Sequence, residues 1–98
     1  MTGKLVAQNG KRSALVEILK KAAVLVGEIP ECRLYIVHED IANETHIWVY
    51  ELWDDKQAHD DSLSAEQIRA LIMQARPLLA AAPDGAELRM VGGHGVDV

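Results

Sequence analysis

The chain has a single cysteine, Cys32, so it can close no intrachain disulfide and no cysteine-based zinc site. It has no basic excess: 10 Lys and Arg stand against 15 Asp and Glu, a formal charge of −5. A nucleic-acid binder needs a basic surface to displace counterions from phosphates, so that class is disfavoured. No stretch approaches the ~20 apolar residues of a membrane span, and Met1 to Val6 holds no apolar signal-peptide core. Internal repeats, low-complexity segments and linkers are absent as well. These absences lead to the expectation of one cytoplasmic domain, residues 1–98, that acts neither on nucleic acid nor in a membrane. With 49% apolar and 26% charged residues, the composition is that of a packed globular protein rather than a disordered one. A chain this small buries only about 60–65% of its unfolded surface, so pairing with a second copy would add to its core.

Leu5-Val6-Ala7-Gln8 has strand propensity and runs into Asn9-Gly10, a strong turn dipeptide. From Lys11 the period changes. Leu15, Ile18, Leu19, Ala22, Leu25 and Val26 recur at three- and four-residue spacing, which predicts an amphipathic helix of roughly 15 residues closed by Gly27. The run Ala22 to Val26 is wider than one face and predicts burial of that helix end on more than one side. After the loop around Pro30, Cys32 to His38 reads as a strand, with Cys32, Leu34, Ile36 and His38 on one face and Arg33, Tyr35 and Val37 on the other. Thr45 to Trp53 is the clearest strand, and both of its faces are largely apolar, so both sides should be covered.

Asp54 with Gln57, and Ser64 with Gln67, have capping-box spacing. The first opens a short helix over 55–62. The second opens a longer one with Ile68, Leu71, Ile72, Ala75 and Leu79 as its buried stripe, interrupted and restarted at Pro77. Pro83-Asp84-Gly85 reads as a turn, Ala86 to Val91 as the last strand, and Gly92-Gly93-His94-Gly95 as a flexible end. The order βαββαβ is the split-βαβ, ferredoxin-like α+β arrangement. Right-handed crossovers give an antiparallel sheet in the order 4-1-3-2 with the helices on one face. The other face, through Trp48, Tyr50 and Leu52, is then an apolar patch that a second copy would cover.

Motif arithmetic leaves the chemistry open. His38, His46, His59 and His94 have no metal-ligand spacing, so no metal is expected. The Gly92-Gly93-His94-Gly95 run precedes no helix and is no phosphate loop. No nucleophile elbow or Cys/His pairing is present.

The segment Val49-Tyr50-Glu51-Leu52-Trp53-Asp54-Asp55-Lys56-Gln57-Ala58 resembles the Y-E-x-W-x-x-x-x-A signature of the antibiotic biosynthesis monooxygenase (ABM) superfamily. The strand–Asn9-Gly10-Lys11–helix opening, Pro30-Glu31-Cys32-Arg33-Leu34-Tyr35, Arg76-Pro77-Leu78-Leu79 and Leu88-Arg89-Met90-Val91-Gly92 resemble further family segments, in order and spacing. The resemblance implies a dimeric α+β barrel: a homodimer whose two sheets face each other, each protomer keeping a pocket between its sheet and helices. Some members are cofactor-independent monooxygenases of quinols or aromatic polyketides; others degrade haem, isomerise small metabolites or have no known activity. Where the family's short helix often carries a histidine before its leucine, this chain has Ser62 before Leu63, and the nearest histidine is His59. The first strand lacks the asparagine of the haem-degrading branch, so haem degradation is disfavoured.

The resulting expectation is a quinol-type monooxygenase without a cofactor, acting on a small hydroxylated aromatic. Glu51 or His59 would take the phenolic proton. Trp53 would stack on the ring beside Val49, and Tyr35 or Arg33 would steady the oxyanion. Each has a plainer role in view: packing for Trp53 and Tyr35, a salt bridge to Arg33 or Arg89 for Glu51, and an exposed helix position for His59. The alternative is a small-ligand-binding or structural homodimer without turnover.

Overall fold

The computed structural model describes residues 1–95, so the last three residues of the expected domain lie outside it. The elements are β1 (Thr2–Val6), α1 (Arg12–Val26), β2 (Cys32–Glu39), β3 (His46–Trp53), α2 (Lys56–Ser62), α3 (Glu66–Ala75), a 3₁₀ turn (Arg76–Leu78) and β4 (Asp84–Ala86). The four strands form one antiparallel sheet in the order β2-β3-β1-β4, the expected 4-1-3-2 read from the other edge. This is the ferredoxin-like α+β fold.

The core lies where α1 and α3 cover one face of the sheet. Leu15 and Leu19 from α1 and Ala75 from α3 pack on Ile47 and Val49 of β3 and on Ala7, and Leu15 and Ile47 are completely buried. The three- and four-residue spacing of the α1 leucines and the alternation of β3 deliver these side chains to one layer. Val26 is buried at the end of α1, but Val24 is 68% exposed, so the wide apolar run is covered on one side only. Pro77 restarts the chain as the 3₁₀ turn, since its ring cannot occupy a helix interior.

Several local readings are corrected. β1 begins at Thr2 rather than Leu5, because its ladder with β3 runs from Thr2 opposite Tyr50 to Val6 opposite His46; Ala7 only bridges to Leu79. Gly10 supplies the turn with φ +75°, which side-chain-bearing residues rarely adopt. Asp55, not Asp54, caps α2 and accepts from the Ala58 amide at 2.7 Å. Ser64 caps nothing: its hydroxyl donates to the Asp61 carbonyl, and Ala65 stands at the N-cap of α3 with no side-chain cap. The last strand is Asp84–Ala86, not Ala86–Val91, because only those three residues align with Thr2–Lys4 of β1.

The consequential correction is in β2. Cys32 stands opposite Trp53 and Leu34 opposite Leu52, so Arg33 is an extra residue in a β-bulge. The bulge moves Cys32 from the outer face to the helix face, which it shares with Tyr35, Val37, Val49, Glu51 and Trp53. The outer face carries Leu34, Ile36, Trp48, Tyr50 and Leu52 and no helix, leaving Ile36 and Trp48 41% and 39% exposed. Among the described residues, no helix is long and apolar enough to cross a membrane.

Candidate active site

Opposite Tyr35 on the helix face of β3 stands Glu51, and α2 lies above them. The Asp55 cap starts α2 immediately after β3, which sets His59 back over the strand it has just left. His59 Nε2 lies 3.7 Å from Glu51 Oε1, and the two side chains are 15% and 19% exposed. That separation is too long for a direct hydrogen bond. The same carboxylate oxygen accepts from Trp53 Nε1 at 3.1 Å, and the Trp53 and His59 rings meet edge to face, 5.6 Å apart at 79°. On its other side His59 Nδ1 lies 3.1 Å from Asp60 Oδ1.

Tyr35, Glu51 and His59 line a cavity of about 380 Å³ between sheet and helices. Leu5, Leu19, Ile68, Leu71 and Leu79 supply much of its apolar wall, and Tyr35, Glu51 and His59 are set into that wall. A pocket of this kind, apolar with a few convergent polar groups, is the usual form of a small-molecule site. A larger groove of about 680 Å³ lies outside it, lined by Trp53, Asp54, Lys56, Glu87 and Arg89, and His59 borders both spaces. The groove is open and crossed by charged side chains; the cavity is the better enclosure for an aromatic ring.

Burial first, and the neighbouring Glu51 carboxylate second, push the Tyr35 phenol well above its ordinary range. It therefore stays a hydrogen-bond donor at neutral pH. Burial also raises the Cys32 thiol, with the Glu51 charge adding to it and a hydrogen bond with the Leu34 backbone opposing it. Cys32 is thus a protonated neighbour rather than a nucleophile.

Of the residues expected at the site, Tyr35, Glu51 and His59 come together in the cavity, and Trp53 holds the carboxylate from the groove side. Val49 is 5% exposed and belongs to the core beneath them. Arg33 sits at the bulge, where its Nε donates to Asp54 Oδ1 at 2.6 Å; it does not form the expected bridge to Glu51. Ser62 is buried, and its hydroxyl donates to the His59 carbonyl at 2.6 Å, closing the last turn of α2. Sequence reasoning missed Asp60, although its place beside His59 was visible. Among the described residues, no group of three or more His, Cys, Asp or Glu could hold a metal ion.

The family model for antibiotic biosynthesis monooxygenase matches residues 1–74. The chain belongs to the ABM family. A solved ABM-family structure from Chloroflexus aurantiacus J-10-fl is 37% identical, with a TM-score of 0.84 over 98% of this chain and 95% of that one. The family's architecture recurs at lower identity in a Deinococcus radiodurans protein (24%, TM-score 0.72, 93% of this chain and 96% of that one). It recurs again in a Mycobacterium tuberculosis protein (18%, TM-score 0.79, 93% and 95%). These two likenesses concern the fold alone. Among curated proteins, none matches this ABM chain.

Proposed function

We propose that this ABM-family protein is a cytoplasmic, homodimeric monooxygenase that oxidises a quinol or hydroxylated aromatic held between its sheet and helices, with the substrate itself reducing O₂. The observation that carries the reading is the convergence of Tyr35, Glu51 and His59 in a largely aliphatic cavity of about 380 Å³, whose other polar lining residues are Ser62 and Arg76. A phenol bound there gives its proton to the Glu51–His59 pair. The electron-rich phenolate then passes one electron to O₂, and the substrate radical and superoxide combine to form a C–O bond. The peroxide takes back the phenolic proton; the C–H bond at that carbon and the O–O bond then break, leaving one oxygen on the ring as a carbonyl while the other leaves as water with the two hydrogens.

The protein's part is to deprotonate, orient and desolvate. Tyr35 donates to the developing oxyanion, a role to which its raised phenol is suited. Arg33 is the weaker candidate because its guanidinium is engaged with Asp54. Trp53 holds Glu51 in place and presents its ring to His59. The uncovered outer face supports dimerisation. Trp48 lies there with its indole N–H fixed by Asp40 Oδ2 at 2.8 Å and with Lys4 Nζ 5.8 Å from its ring centre, so its orientation is set before a partner arrives.

Oxygen-electrode measurements with a panel of quinols and anthrones test the reading. It expects protein-dependent uptake of one O₂ per substrate for at least one compound. Saturable binding of such compounds with no uptake across the panel would favour a non-catalytic ligand-binding dimer instead.

A further inference from the structure

Asp60 does not line the cavity, yet it touches His59, which does and whose ring can both accept and donate a proton. A carboxylate can only accept, so the 3.1 Å contact between Asp60 Oδ1 and His59 Nδ1 requires the proton of the neutral ring to sit on Nδ1. The Nε2 lone pair is then left facing Glu51 Oε1 across 3.7 Å. Two acceptors facing each other at that distance have no proton between them.

Asp60 is itself held in place. Its second oxygen takes Lys56 Nζ at 2.7 Å, one helical turn earlier on α2, and Lys56 reaches on to Glu87 at 3.6 Å. The Lys56 hydrogen bond, and after it the one from His59, keep the Asp60 carboxyl below its ordinary range, so it is ionised at neutral pH. Resting on the proposed oxygenase reading, we infer that Asp60 is a positioning residue: it keeps His59 in the Nδ1–H form, with Nε2 open to receive the substrate proton. The transferred proton completes an imidazolium flanked by Glu51 on one side and Asp60 on the other. Without Asp60 nothing holds the proton on Nδ1; on Nε2 it would face the Glu51 carboxylate, and the ring nitrogen nearest the cavity could no longer accept a proton from substrate.

The test is ¹⁵N NMR of the His59 ring at a pH where it is neutral, on the full chain without substrate, for the parent, Asp60→Ala and Asp60→Asn. Asp60 is exposed and caps nothing, so both variants should keep the parent circular dichroism. The parent should show a protonated Nδ1 and an unprotonated Nε2. Asp60→Ala should invert the two, whereas Asp60→Asn, which retains an accepting oxygen, should keep the parent pattern. With a turned-over substrate, Asp60→Ala should lower kcat by about tenfold at unchanged KM, less than the ~10²–10⁴-fold that a positioned base itself contributes. An Asp60→Ala protein with the parent nitrogen pattern overturns the inference whatever its turnover. Inversion of the pattern supports it even if no quinol or anthrone is consumed, in which case only the oxygenase reading falls.

Discussion

Trp53 Nε1 and Glu51 Oε1, two residues apart on the same face of β3, are joined by a 3.1 Å hydrogen bond. Side chains at i and i+2 of a strand point the same way, so the indole can reach along the strand to the carboxylate. The bond turns one Glu51 oxygen toward His59 and leaves the carboxylate inside an apolar wall without a cationic partner from Arg33 or Arg89. It explains how a half-buried glutamate is tolerated there: a carboxylate shielded from water needs donors, and Trp53 is one.

Removing either member of the proton-accepting pair should be visible in rate and silent in fold. Glu51→Gln and His59→Ala, made separately, should keep the parent oligomeric state. At least one should lose ~10²–10⁴-fold in turnover of an oxidised quinol or anthrone, the range expected of a positioned base. Parent rates in both would remove the pair from the mechanism.

The outer sheet face predicts the assembly. Trp48→Asp or Leu52→Asp places a charge where a second sheet would bury it, and an unpaired buried charge costs several kcal/mol. The variants should aggregate or unfold, while the parent runs as a dimer in light scattering at micromolar concentration. A well-folded parent monomer under those conditions contradicts the dimer.

Asp55 ties the placement of His59 to one side chain, because its carboxylate accepts from the Ala58 amide at the start of α2. Asp55→Ala should cost ~1 kcal/mol in denaturant unfolding, the usual cost of losing such a cap. The same variant should broaden the NMR signals of the His59 ring, since α2 has only seven residues in which to recover its position.

Tyr35 predicts an alkaline limit. In the unfolded chain its phenol ionises near its ordinary value of about 10, but in the folded protein it stays protonated to higher pH. Above that value the unfolded state binds fewer protons than the native one, so stability falls as pH rises. The contribution is fully present below pH ~10 and is lost as pH rises from there toward the raised value of the folded state. Thermal melts between pH 9 and 11 should show a smaller decline in Tm for Tyr35→Phe than for the parent; equal declines would assign the loss to other groups.

Element order and sheet order were legible in the sequence because periodicity and strand alternation place side chains on faces, whereas Tyr35, Glu51 and His59 were singled out through the resemblance to the ABM family. What was not legible depends on pairing between strands. The bulge at Arg33 has no mark in its own segment, and it alone decides that Cys32 faces the helices. Arg33 thereby meets Asp54 rather than Glu51. Asp54 and Asp55 are chemically equivalent cap candidates, and only the backbone geometry separates them: Asp55 is extended and its carboxylate reaches the Ala58 amide. The last strand was displaced because Glu87 to Val91 has strand propensity, whereas the ladder with β1 uses Asp84-Gly85-Ala86. Gly85 suits that ladder: a Cβ there would stand 3.1 Å from the Thr2 carbonyl oxygen.

The central claim, that this cavity lets an aromatic substrate react directly with O₂, is tested most directly by ¹⁸O₂ labelling with chelator-treated protein. The account predicts product carrying one ¹⁸O atom per molecule from O₂, formed at the untreated rate by the parent and far more slowly by Glu51→Gln or His59→Ala. Product labelled from water instead, loss of activity on chelation, or parent rates in both variants would contradict it.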